Sequence, residues 1–125
     1  MVFKSSTVNN QLSVKLTIIS LAILLFAGCA PRQKAVELYV DAVVLKELNQ
    51  DEKAVQKLNQ AVKVDKRFSL AHSLLGEIYE QAADYQKSAA SYGTATQLNP
   101  WSFKDFFALG LLRVTHGPRR KVNFH

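Results

Sequence analysis

Apolar and polar positions divide the chain into two stretches of different character. From Leu16 to Ala27 the run LTIISLAILLFA holds no charged residue. Beyond Cys29 no such run recurs, and apolar residues return instead at steps of three and four. Val55, Leu58 and Val62 do so in one segment, and Leu75, Ile78 and Tyr79 in another. That spacing lays them along one face of a helix. No strand-like alternation extends over any length. Breaks in the pattern carry turn residues. Leu98-Asn99-Pro100 ends a helix, because proline disfavours helix in the residue before it. Asn49-Gln50-Asp51 is a polar turn in which Asp51 is placed to cap the next helix. Pro31 reads as preventing helix just after the cysteine. The pattern predicts five helices after Cys29, near 33–48, 51–65, 69–82, 85–98 and 102–115, stacked as antiparallel pairs.

Set above residues 69–102, residues 35–68 match them at an offset of 34, small over small and large over large. Ala42 falls on Gly76, Leu45 on Tyr79, Ala54 on Ser88, Leu58 on Tyr92, Ala61 on Ala95 and Val64 on Leu98. A second step carries Leu75 onto Leu109 and Gly76 onto Gly110. The small residues mark places where two helices must approach closely.

The second copy, AHSLLGEIYEQAADYQKSAASYGTATQLNP, resembles the tetratricopeptide repeat. Leu75-Gly76, Tyr79, the turn Ala83 to Tyr85, Ser88, Tyr92, Ala95 and Pro100 stand at the family's spacing. His72 occupies a place where the family usually has a large aromatic residue, and Ser88 replaces the usual alanine. The first copy is looser: it keeps Ala42, Ala54, Ala61 and Asp65, with Lys66 where the proline belongs. The third begins near Phe103 and has Leu109, Gly110 and Gly117, but Arg113 replaces the expected tyrosine. The resemblance implies an all-α fold, an antiparallel helix-pair solenoid of about two and a half repeats after an N-terminal signal helix. Repeat 1 spans 35–68, repeat 2 spans 69–102, and a partial third repeat with a basic tail spans 103–125.

In this family the first helix of each pair lines a concave groove that holds an extended or helical segment of a protein partner. The corresponding positions here are Val36, Tyr39, Val43 and Lys46, then Leu70, Ser73, Glu77 and Glu80, then Lys104, Phe107 and Leu111. Some relatives clamp a terminal carboxylate at set groove positions, held here by Tyr39, Val43, Leu74, Lys104 and Ala108. Only Lys104 agrees, so that clamp is not expected. The groove reads as apolar at its ends and acidic in the middle, suited to aliphatic anchors with a basic residue or two.

The last helix is apolar nearly all round, with Phe103, Phe106, Phe107, Leu109, Leu111 and Leu112. Such a helix expects burial. Its cover would be a further segment of the chain, a second copy or another protein. The alternative function is therefore a structural subunit that homo-oligomerises through this helix. The ending GPRRKVNFH reads either as a truncated or frame-altered end or as a natural terminus that frays.

Lys4 and Lys15 precede the apolar run with no acid among them, and the run is 12 residues long. A basic leader, a short apolar run and small residues make a secretory signal. A spanning helix would need about 20 residues. Phe26-Ala27-Gly28-Cys29 resembles the lipobox of bacterial lipoproteins, although Phe26 departs from the commonest leucine. The resemblance implies a signal peptide over 1–28, a diacylglyceryl group on the Cys29 thiol and a lipidated tether over 29–34. Several acyl chains make a stable anchor where one holds only marginally. An ordinary cleaved signal with an incidental cysteine is the plainer alternative. Ala30 in place of aspartate implies the outer membrane if the host has one, and in any case an exported, membrane-anchored protein of the cell envelope.

Charge changes this picture little. The net charge is +6, and without Lys4 and Lys15 the basic residues number 14 against 10 acidic. The excess sits largely in Arg113, Arg119, Arg120 and Lys121, and no basic face with interleaved motifs marks a nucleic-acid partner. A single cysteine allows no internal disulfide. His72, His116 and His125 are scattered, with no ligand pair at the spacing that shares a helix face. No G-x-S-x-G motif or glycine-rich phosphate loop occurs, and Glu77 with Glu80 reads as a solvated face. The expectation is a binding module without enzymatic activity, metal or cofactor. Its partners would be an unidentified protein and, through lipid on Cys29, a membrane.

Overall fold

A computed structural model of the chain describes residues 3–27 and 30–118. Among the described residues there are six α-helices and no strand: α1 (Phe3–Ala27), α2 (Ala30–Glu47), α3 (Asp51–Val64), α4 (Ser69–Gln81), α5 (Tyr85–Leu98) and α6 (Phe103–His116). They fall into two compact units, Met1–Gln33 and Lys34–His125. In the first, α1 exposes its side chains from Asn10 to Leu25. No helix among the described residues is long and apolar enough to cross a membrane. Cys29 and the basic tail from Arg119 onward lie outside the described residues.

The second unit is a tetratricopeptide-like helical solenoid. Helix α4 packs on α3 and on α5, and α5 packs on α6. Its turns explain why the period is 34. At the end of α2 the N–H of Asn49 donates to Lys46 and that of Gln50 to Leu45, with Asn49 at φ 56°. At the end of α4 the N–H of Ala83 donates to Glu80 and that of Asp84 to Tyr79, with Ala83 at φ 58°. Each is a Schellman closure, in which a left-handed residue satisfies two orphan carbonyls of the helix end. Every donor and acceptor of the second turn lies 34 residues after its counterpart in the first.

The turns between pairs match as well. Asp65 N–H donates to Ala61 and Asn99 N–H to Ala95. The side-chain oxygens of Asp65 and Asn99 accept from the N–H of Arg67 (2.9 Å) and Trp101 (3.2 Å). These Asx turns do the work of reversal. Lys66 can therefore stand where Pro100 stands in the next copy.

Two local expectations are corrected. Helix α2 starts at Ala30, so Pro31 lies in its first turn. There its missing N–H forfeits no helix bond and its fixed φ suits the helix. Asp51 is the first residue of α3 and not its cap; the preceding Gln50 makes no side-chain cap bond. Asp51 and Glu52 instead place negative charge at the positive end of the helix dipole. The capping carboxylate is Asp84, which accepts the Lys87 N–H at 3.3 Å.

The core follows the repeat. Leu38, Ala42, Ala54, Leu58, Ala61, Ala71, Leu75 and Ile78 form one buried cluster, and Tyr92, Leu109 and Leu112 a second. Gly76 marks the tightest approach. A Cβ on it would lie 2.8–2.9 Å from three ring atoms of Tyr92. Ser88, on the adjoining turn of α5, is fully buried and donates its hydroxyl to the Gly76 carbonyl at 2.8 Å. That bond satisfies the buried Ser88 hydroxyl.

Candidate partner-binding groove

The first helices of the two pairs, α2 and α4, together with α6 bring part of the expected groove together. Tyr39, Leu70, Ser73, Glu77 and Lys104 line one cavity of about 190 Å³, with Leu74, Asn99, Ser102 and Asp105. Tyr39 packs edge-on against Phe68, ring centroids 5.3 Å apart. Leu70 is exposed beside it. Val36, Val43, Lys46, Glu80, Phe107 and Leu111 do not line this cavity. Phe107 and Leu111 stand exposed on α6, and Phe107 stacks with Phe103 at 6.1 Å. Glu80 turns toward its own pair, accepting the Tyr92 hydroxyl at 3.1 Å. Burial first, and that bond second, push the Tyr92 phenol well above its ordinary range.

The expected acidic middle is not a free acid. Glu77 accepts from the Lys46 ammonium on α2 at 2.7 Å and from the Lys104 ammonium on α6 at 2.9 Å. Burial pushes the Glu77 carboxyl up, but the bonds from Lys46 and Lys104 overcome it and hold the group below its ordinary range. The bond to Glu77 raises the Lys46 ammonium, against the lowering effect of burial. One carboxylate between two ammonium groups leaves this centre with a net positive charge, and Lys104 remains mostly exposed. A basic residue on a partner therefore has no free acid to meet at Glu77. An acidic or amide group could approach Lys104.

Beneath the groove a second polar node joins α4 to α6. Asp105 is only 3% exposed, and it accepts from Ser73 at 2.5 Å and from Ser102 at 2.6 Å. A buried carboxylate needs such donors to remain in place. The repeat period predicts Ser73 in the groove but not Asp105. The signal was the Ser102-x-x-Asp105 spacing at the start of α6, a helix-entry pattern. The Lys46–Glu77–Lys104 chain had no comparable signal. Its members lie 31 and 27 residues apart, and only the stacking of pairs aligns them. Among the described residues no group of three or more His, Cys, Asp or Glu could hold a metal ion.

No family model matches the chain. It is 26% identical over 72 residues to anaphase-promoting complex subunit 3 of Schizosaccharomyces pombe, covering 58% of this chain and 11% of that protein. It is 31% identical over 65 residues to the cell division cycle protein 27 homolog of Caenorhabditis elegans, covering 52% of this chain and 8% of that protein. The matched stretches thus span about a tenth of the curated relatives' length.

Proposed function

We propose that the chain is a protein-interaction module whose groove along α2, α4 and α6 holds a segment of another protein. The observation that carries this reading is the cavity in which Tyr39, Leu70, Ser73, Glu77 and Lys104 converge from three helices. Its lining is mostly polar, with Tyr39, Leu70 and Leu74 as the apolar contacts beside Ser73, Glu77, Asn99 and Lys104, a mixture that can hold both the backbone and the side chains of a partner segment. The likeness to a protein named as a subunit of a complex supports an assembly role. The partner segment carries aliphatic side chains for Tyr39 and Leu70 and an acidic or amide group for Lys104. A photo-crosslinking residue in place of exposed Leu70 tests this. It should capture a defined protein from membranes of the source organism, while the same probe at Val64, which lies outside the cavity, should not. Equal capture at both positions would reject the groove.

The module is held to a membrane through lipid on Cys29, as an exported protein of the cell envelope, at the outer membrane where the host has one. The uncharged run ending at the lipobox-like Phe26-Ala27-Gly28-Cys29 supports this. Cys29→Ser should abolish lipid labelling and leave the precursor uncut. Normal processing of that variant would overturn the anchor. A second reading, self-association through α6, is favoured by one observation: Phe103, Phe107 and Val114 are 81%, 63% and 85% exposed.

A further inference from the structure

The geometry points to a two-fold pairing of the chain with a second copy, through an antiparallel contact between their α6 helices. Asp105, Leu109 and Leu112 are the buried residues of α6. At about 100° per residue, Phe103, Gly110 and Val114 lie on the opposite face, with Phe106 and Phe107 flanking them. Gly110 makes a notch in that face: a Cβ built there meets nothing within 4 Å.

The chain itself displays what such a notch takes. Gly110 lies 34 residues after Gly76, and Gly76 receives the ring of Tyr92 from the antiparallel helix α5. Among the described residues no helix holds the corresponding place against α6. A second α6 running antiparallel supplies the ring. With the symmetry axis between Ala108 and Leu109, Phe107 of each copy falls opposite Gly110 of the other, and Phe103 opposite Val114. Phe107 meets the notch at Gly110, Phe103 meets the apolar side chain of Val114, and the two-fold makes each contact twice.

Charge permits the pairing. The only acid of α6, Asp105, is buried against Ser73 and Ser102, and Lys104 is tied to Glu77. Lys104 and Arg113 lie on opposite flanks of the face, and a two-fold brings like flanks together, so the two cations do not meet. Area also suits it. At about 200 Å² per aromatic side chain, the three phenylalanines alone offer roughly 400 Å² per copy. With Val114 and Leu111 added, two copies would bury at most about 1,200 Å², the lower end for a specific interface. This pairing rests on the self-association reading of α6 and is independent of the groove.

The test uses the full chain with Cys29→Ser, so that an introduced cysteine is the only thiol. One population carries Phe103→Cys and another Val114→Cys, both at exposed sites. In the antiparallel pair, like positions stand about 17 Å apart along the axis at 1.5 Å per residue, beyond the reach of a short bis-maleimide. Neither population should cross-link alone, and their mixture should. Gly110→Leu in both should cut the mixed product at least tenfold, although it adds apolar surface, with the helical circular dichroism unchanged. Cross-linking of either population alone would overturn the antiparallel pairing while leaving self-association standing. No product in any combination would overturn both.

Discussion

Alanine in place of Gly76 adds one methyl group to the middle of α4, and two effects of opposite sign compete over it. In an open helix interior, glycine to alanine stabilises by about 0.8–1 kcal/mol. Here the new Cβ would stand 2.8–2.9 Å from Cγ, Cδ1 and Cε1 of Tyr92. Carbon pairs settle near 3.5–4.0 Å, so the ring or the helix must yield by roughly 0.7 Å. The ring is not free to swing. Tyr92 is 2% exposed, and its hydroxyl is bonded to Glu80 on α4 itself. Overpacking of this kind typically costs about 1–3 kcal/mol. The net expectation is a loss of about 1 kcal/mol, a fall in Tm of about 4–8 °C for a domain of this size. Gly93→Ala is the control. Gly93 is also inside a helix, but its Cβ would meet nothing within 4 Å. There only the propensity gain of about 1 kcal/mol remains, and Tm should rise. Thermal melts followed by circular dichroism should separate the two alanine variants by about 2 kcal/mol. Equal rises in Tm would refute the close α4–α5 packing and the repeat register built on it.

Ala83 is held at φ 58°, in the left-handed region, where a side chain costs about 1–2 kcal/mol that glycine avoids. Ala83→Gly should therefore stabilise by about 0.5–1 kcal/mol after the entropy of the unfolded glycine is subtracted, read as a higher urea midpoint. The Glu77 cluster sets a pH window. Because the folded carboxyl lies below its ordinary 4.5, its contribution is complete above that value and is lost as pH falls through the folded one. Because the folded Lys46 ammonium lies above its ordinary 10.5, its contribution is complete below that value and is lost as pH rises through the folded one. Urea titrations across pH should show a shallower acid limb in Glu77→Gln than in the parent, and an unchanged limb would place the acid sensitivity elsewhere.

The helices of the solenoid were legible because their ends are written locally. Asn49, Asp65 and Asn99 close turns by their own backbone or side-chain chemistry, and the same spacing recurs one period on. The five expected ranges accordingly fall within a few residues of α2 to α6. Pro31 and Asp51 misled for a related reason. The commonest role of each residue type is not the role it has here: one position along the helix converts a breaker into a first-turn residue and a cap into a dipole partner. The groove was legible only in outline. Tyr39, Leu70 and Ser73 could be placed from the period, but the charge of the site could not. Lys46 and Lys104 have long side chains on different helices, and whether they reach Glu77 depends on how far one pair is rotated over the next. Alternation of polar and apolar residues carries no record of that rotation.

The strut made by Lys46, Glu77 and Lys104 has a mechanical consequence. A stack of helix pairs is an elastic coil, each pair free to tilt slightly against its neighbour. One carboxylate gripped from both sides couples the tilt of α2 on α4 to that of α6 on α4. A ligand group that draws Lys104 away unloads one arm of the strut and leaves the other engaged. The α4–α6 joint would then lose its ion pair while the α2–α4 joint kept its own.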